Sequence, residues 1–367
     1  MFENILGQPA VDQLIADITS ASLPPSILFE GPIAAGKGST ALELARVLSC
    51  ISDGAPWNCA CSECMQHRQL THPDLLLLGS RNFISEISAA SAAFLREPES
   101  AARLLFIRSV RKLLARFNPI IWEGDESKLA KLGLLITNCN EELEELSQPS
   151  AAEEKLEKVC ASLVQHALQL ESEGISETIP ISQIRAATYW AHLAPLGKRK
   201  LLVIENADKM QDSSRNALLK LLEEPPATTQ IVLCTPRKTS LLPTIRSRLR
   251  PYQFVQRSRD IEAQVLRRVF RDPVAAHGDD FTSLSSYLET FLPVPPESTR
   301  KAAVDFLIHL LSNIQPRNSV HQSVLSALSG VLQETLSGKD ASQDQQYLAS
   351  LSMRQFLQKI AKDLVGA

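Results

Sequence analysis

Residues 31–40 read GPIAAGKGST. A loop of the form G-x-x-x-x-G-K followed by Ser or Thr holds phosphate only when a buried strand leads into it and a helix leads out, so this stretch predicts an α/β domain built on a parallel sheet. Gly31, Pro32, Gly36 and Lys37 fit the pattern, but Gly38 stands where the magnesium-binding hydroxyl belongs, with Ser39 and Thr40 one and two places later. Backbone amides and the Lys37 ammonium suffice to cradle phosphate at a helix N-terminus, yet no side-chain oxygen at position 38 coordinates Mg²⁺. The loop reads as a nucleotide binder, for ATP or ADP, that has lost hydrolysis.

The flanking text supplies the required context. Val11, Leu14, Ile15 and Ile18 mark one face of a helix over 11–22, closed by Pro24-Pro25. SILFE (26–30) predicts a short buried strand, and Ala41, Leu44, Ala45 and Leu48 give helical spacing over 39–48. THPDLLLL (71–78) leads into a second buried strand. Residues 80–178 turn rich in Ala, Leu, Glu and Ser and predict helices throughout. Element types alternate again from Ile179: a helix, then the strand LLVIE (201–205), a helix over 213–224 stopped by Pro225-Pro226, and the strand QIVLC (230–234). In a P-loop hydrolase an acid at the strand end holds magnesium and a second acid orients water. Here Glu205 takes the first position and Asn206, which is no base, the second.

Four of the seven cysteines, Cys50, Cys59, Cys61 and Cys64, fall within 15 residues. Four thiols so spaced suit one tetrahedral, closed, structural Zn²⁺. Cys59-x-Cys61 is tight for a knuckle, which leaves His67 and His72 as alternatives to Cys61. Cys139, Cys160 and Cys234 stand in apolar contexts as inert core thiols.

A formal net charge of −3 provides no overall basic field for nucleic acid. One local stripe remains: Arg108, Arg111, Lys112 and Arg116 share a helix face, either solvated against the acidic stretch 141–157 or a contact for DNA. Arg246, Arg248 and Arg250 alternate just before a short aromatic strand, as a basic turn or as a fork for phosphate on a neighbour. No apolar run is long enough to span a membrane and the N-terminus carries no targeting signal, so a soluble, cytoplasmic chain is expected.

Taken together, FENILGQPAVDQL, LFEGPIAAGKGSTALELA, the cysteine cluster before THPDL, VIENADKM, NALLKLLEEPP and TIRSRLR occur in the order that resembles the AAA+ subunits of bacterial clamp loaders, the DNA polymerase III gamma/tau and delta prime family. The resemblance covers residues 1 to about 80 and about 180–256. It implies a RecA-like AAA+ domain over 1–79 and 179–256 with a zinc module at 50–64, a helical insertion at 80–178, a helical lid at 257–294 and a helical collar at 295–367. By position it implies Gly31, Pro32, Gly36, Lys37, Gly38, Ser39 and Thr40 at the P-loop, Glu205 and Asn206 at the Walker B acids, Thr235 at sensor 1, and Arg248 as an arginine finger reaching the ATP of the adjacent subunit. Ala34, Gly38, Asn206 and Leu249 depart from the family pattern, and no sensor 2 arginine motif follows 257. The pattern resembles delta prime more than gamma and implies a stator of the loader. Its expected partners are gamma/tau and delta subunits, the sliding clamp and primer-template DNA. Two other functions compete: an ATP-hydrolysing motor in which Ser39 or Thr40 replaces the missing hydroxyl, and a structural DNA-binding protein using the helix at 103–117.

Overall fold

The structure is a computed structural model in which residues 1–147, 153–278 and 283–293 are described. The chain separates into two units, 1–288 and 289–367, and the described residues lie almost wholly in the first. The apolar spacings expected over 299–315 and 319–337 fall outside them.

Five strands form one parallel sheet, β1 (Ser26–Glu30), β2 (Leu75–Leu78), β3 (Lys200–Ile204), β4 (Thr229–Thr235) and β5 (Arg250–Gln253), in the order β2-β3-β4-β1-β5. β1, which feeds the phosphate loop, pairs Ile27 with Val232 and Phe29 with Cys234 on β4, and with β5 on its other side. Each interior strand is apolar because helices cover both faces. Alternation then divides the side chains. Leu28, Leu76, Leu78, Leu202, Ile204, Ile231 and Leu233 enter one core; Ile27, Phe29, Leu75, Leu77, Leu201, Val203 and Val232 enter the other. Full burial of each such side chain stabilises by about 1.5–3 kcal/mol.

The second core is closed by α1 (Pro9–Thr19) and α2 (Lys37–Ser49). α1 begins with Pro9 in its first turn, where a missing N–H costs nothing, and ends five residues short of the expected Pro24 stop. Asp17 on α1 accepts from the Tyr252 hydroxyl at 2.5 Å and pairs with Arg250 at 3.1 Å, anchoring β5 to the helix. The short α3 (Ser62–Gln69) follows α2.

The first core holds α4 (Ile84–Arg96), α5 (Ser100–Leu114), α6 (Glu126–Ser147), α7 (Glu153–Gly174), α8 (Ile181–His192) and α9 (Asp212–Glu223). Residues 80–178 are therefore helical as expected, and Phe83, Ile87, Phe94, Phe106 and Val110 share one continuous core with the sheet. Cys139, Cys160 and Cys234 are buried. After α9 come α10 (Pro243–Arg246), α11 (Arg259–Arg268), α12 (Pro273–His277) and α13 (Leu284–Glu289).

Candidate functional site

The phosphate loop lies between β1 and α2. Gly36, at φ 94°, adopts the left-handed conformation that starts α2. Ala34 sits at φ 58°, so a Cβ-bearing residue is held where glycine is usual. The Lys37 ammonium folds back onto the carbonyls of Gly31 (2.6 Å) and Pro32 (2.5 Å). Burial pulls it down to about 8, with Cys234, Asp208 and Glu205 opposing. Thr40 is fully buried and donates to the Gly36 carbonyl at 3.0 Å, within its own helix, while Ser39 is exposed. Neither hydroxyl takes up the vacated role of position 38.

Gly38 and Glu205 meet as the motif requires: a Cβ at position 38 would collide with Glu205 Oε1. The carboxylate, however, is already paired. Arg116 Nη2 donates to Oε2 and Arg81 Nη1 approaches Oε1 at 3.5 Å. Burial would raise the Glu205 carboxyl; the Arg81 and Arg116 guanidinium groups, then Lys112, overturn that and hold it below the usual carboxylate range. Arg116 is 3% exposed, donates Nε to the Gly79 carbonyl at 2.9 Å and lies over the Phe83 ring. Asn206 stands at φ 48°, which Asn tolerates, and its amide donates to the Ser80 carbonyl at 2.7 Å. The buried guanidinium of Arg116 and the partly exposed one of Arg81 thus stand against the carboxylate at the position of a Walker-type acid.

Thr235, at the end of β4, donates to Asp208 Oδ1 at 2.9 Å and accepts from the Arg237 amide. Sequence reasoning missed Asp208. Its signal was an acid three residues past Glu205, and a 3₁₀ turn over 207–209 swings it back toward Lys37 and Thr235. Arg257 was missed too. It donates to the Leu6 carbonyl (2.8 Å) and the Ala34 carbonyl (2.8 Å), and its Nη2 comes within 2.6 Å of where a Gly36 Cβ would be. A side chain from the approach to α11 thereby crosses the phosphate loop. Beside it opens a cleft of about 460 Å³ lined by Gln8, Val11, Val255, Arg257 and Ile261.

The basic stripe of α5 and of the 3₁₀ turn after it (Ala115–Phe117) is engaged within the chain. Arg108 donates to the carbonyls of His67 (3.1 Å) and Arg68, and Arg111 to that of Gln69 (2.8 Å). All three carbonyls belong to the last turn of α3, where helix geometry leaves acceptors unpaired and cations are favoured. Lys112 pairs with Glu86, and Arg116 with Glu205. The acids that receive the stripe come from α4 and the C-terminal end of the interior strand β3, not from 141–157.

The four clustered cysteines converge. Cys50, Cys59, Cys61 and Cys64 bring their sulfurs within 4.8 Å of one another, with Cys50 and Cys59 at 3.7 Å. A tetrahedral zinc with bonds near 2.3 Å needs sulfurs about 3.8 Å apart, so the donor set fits. The Ser52 hydroxyl beside Cys59 brings its thiol down to about 6, toward the thiolate a metal requires. Arg46, unforeseen in sequence, supports the cluster from α2: 1% exposed, it donates to Cys64 Sγ (3.1 Å) and the carbonyls of Ala55 and Pro56, and pairs with Glu43. The histidines are engaged elsewhere. His67 bonds Ser49 Oγ at 2.9 Å, His72 bonds Glu63 at 2.7 Å, and their rings stack at 4.0 Å. The sulfur of Cys61 therefore stands with the other three, and neither histidine is part of that group.

Arg248 lies far along the chain from this chemistry, just after α10. Its Nη2 donates to Glu223 Oε1 at 2.6 Å and its Nη1 to the Thr244 carbonyl at 2.7 Å, and the side chain is one-third exposed.

Among the described residues no helix is long and apolar enough to cross a membrane. The chain is similar in sequence to known proteins. A subunit delta' of DNA polymerase III from Pseudomonas aeruginosa is 40% identical over 80 residues, which is 22% of this chain and 24% of that one. Its counterpart from Escherichia coli K12 is 47% identical over 82 residues, 22% and 25% of the respective chains. The alignments thus span about a quarter of these relatives' length. A solved structure of a DNA polymerase III gamma subunit-related protein from Thermotoga maritima is 27% identical and covers 45% of this chain and 62% of its own, at a TM-score of 0.23. The profile of the family described as DNA polymerase III, delta subunit, matches residues 7–119 and 123–258, running through the helical stretch as well as the sheet. With that match over more than half of its length, the chain belongs to the DNA polymerase III delta subunit family.

Proposed function

We propose that this chain is a clamp-loader subunit of the delta prime kind: a stator that does not hydrolyse ATP itself and completes the ATPase site of a neighbouring subunit with Arg248. Its setting is the cytoplasmic DNA polymerase III assembly, with gamma/tau and delta subunits, the sliding clamp and primer-template DNA as partners. The observation that carries the reading is the internal neutralisation of Glu205 by Arg116 and Arg81 beside a residue, Gly38, that has no hydroxyl. A carboxylate already paired with a buried Arg116 and a partly exposed Arg81 has little remaining attraction for Mg²⁺, and no other magnesium ligand stands at position 38. Asn206, donating to the Ser80 carbonyl, lacks the basicity to orient water.

What the chain retains is a cation at its surface. A trans arginine stabilises charge developing on transferred phosphate and contributes roughly 10³–10⁵ in rate in P-loop enzymes. Arg248 has the needed chemistry and exposure. Cys50, Cys59, Cys61 and Cys64 would hold a structural Zn²⁺, which ties the 50–64 loop to α3; because four thiolates leave no open position, that metal takes no part in a reaction. A motor reading draws on one observation, the Asp208 carboxylate bonded to Thr235 near Lys37, which is an acid in reach of a phosphate loop. The experiment on the finger is Arg248→Ala in the reconstituted loader: ATP turnover should fall by roughly 10³-fold or more with assembly intact. Unchanged turnover would refute the role.

A further inference from the structure

The partner of Arg248 within its own chain has no assigned role. Glu223 is the last residue of α9, with Glu224 next to it. Carboxylates at a helix C-terminus face the negative end of the helix dipole, an arrangement that is locally unfavourable unless a cation answers it. Here the cation is Arg248. Its guanidinium is held at two points, Nη2 on Glu223 Oε1 at 2.6 Å and Nη1 on the Thr244 carbonyl at 2.7 Å, with the Ser247 hydroxyl at 3.4 Å from Nη1. Arginine brings five N–H donors in a rigid fork. Two such bonds, one from each Nη nitrogen, fix the plane of the fork.

The neighbouring Arg250 is employed differently. Arg250 is tied to Asp17 on α1 and fixes β5. Thr244 lies in α10 (Pro243–Arg246), a single turn opened by proline, so its carbonyl is a fixed point. The pair with Glu223 is in partial contact with water, with side-chain exposures of 33% and 49%. An exposed ion pair of this kind is weak enough to loosen when a stronger anion arrives, yet it still narrows the rotamers that a free arginine would explore.

We infer that Glu223 is a positioning residue for the arginine finger: it holds the Arg248 fork in a presentable orientation before the neighbour's phosphate is reached. The inference rests on the proposed role of Arg248 in trans. Glu223 acts through Arg248 and does not touch nucleotide.

The test is the ATP turnover of the full chain assembled with a neighbouring subunit whose P-loop is intact, with ATP as the probe. Glu223→Ala should lower kcat roughly 3- to 10-fold, well short of the roughly 10³-fold expected for losing the finger. Glu223→Gln, which keeps an acceptor oxygen, should restore most of that loss, and assembly followed by native mass spectrometry should be unaltered by either change. In an Arg248→Ala background, Glu223→Ala should have no further effect. Turnover of Glu223→Ala equal to or above the parent, while Arg248→Ala is crippling, would overturn the inference and leave the finger standing. So would a Glu223→Ala loss of the same size in the Arg248→Ala background, since that marks a general structural role. If Arg248→Ala itself turns over normally, the finger reading fails and the inference falls with it.

Discussion

Replacing Arg116 by Met removes one guanidinium from a buried pair while keeping an apolar stem of similar length. Arg116 is 3% exposed and serves two acceptors, Glu205 and the Gly79 carbonyl, while stacking on Phe83. Removing one member of a buried ion pair costs about 3–5 kcal/mol, because the other charge is stranded. Here Arg81 remains 3.5 Å from Glu205, which places the loss at the lower end, about 3 kcal/mol. At roughly 2.1 cal/mol/K of unfolding entropy per residue, about 0.6 kcal/mol/K over residues 1–288, the melting temperature should fall by about 5 °C. The assay is calorimetric unfolding of the full chain and three variants: Arg116→Met, Glu205→Gln and the two together. Because the double variant strands no charge, it should recover at least about 1 kcal/mol relative to the sum of the singles. Strict additivity, or an Arg116→Met variant within about 0.5 kcal/mol of the parent, would mean the pair does not form. Glu205 would then be free to serve a cation.

The fate of the α5 stripe gives a second expectation. Arg108→Ala should destabilise by about 1.5–3 kcal/mol through lost capping of α3, with DNA affinity at physiological salt unchanged; weaker DNA binding at unaltered stability would reverse the assignment. Metal analysis should find one zinc per chain, and Cys64→Ser should lose it together with protease resistance of the 50–64 segment. Zinc well below stoichiometry in the parent would count against the cluster as a metal centre. Acid should act through Glu86. Burial raises its carboxyl, but Arg81 and Lys112 overturn this and bring it from 4.5 to about 2. The folded state thus keeps this carboxylate charged where the unfolded chain protonates it, so its contribution is complete above about pH 4.5 and is lost as pH falls toward about 2. The stability gap between the parent and Glu86→Gln should be constant above that window and narrow within it, and a gap independent of pH from 2 to 5 would contradict the pairing.

The α/β order was legible because buried parallel strands read as short apolar runs. SILFE, LLLL and the strand before Glu205 each met that rule, and each divides its residues between the two cores as alternation demands. The losses at Gly38 and Asn206 were also local and visible. What replaces them was not. Arg116 reaches Glu205 across 89 residues and Arg81 across 124, separations over which periodicity is silent. Helical spacing did identify the face carrying Arg108, Arg111, Lys112 and Arg116. It could not reveal that the carbonyls of α3 and the acids Glu86 and Glu205 would stand opposite, so a polar face was read as one open to water or DNA. Arg257 and Asp208 escaped for related reasons, one approaching the loop from beyond the last strand and the other turned inward by a 3₁₀ turn.

The proposal that Arg116 and Arg81 disable hydrolysis at this phosphate loop has a simple consequence for the isolated chain. The decisive measurement is steady-state ATP hydrolysis by the purified full chain with Mg²⁺, alongside Lys37→Ala. The account predicts no turnover above background in either protein, whereas turnover by the parent that Lys37→Ala abolishes would contradict it and make the chain a motor.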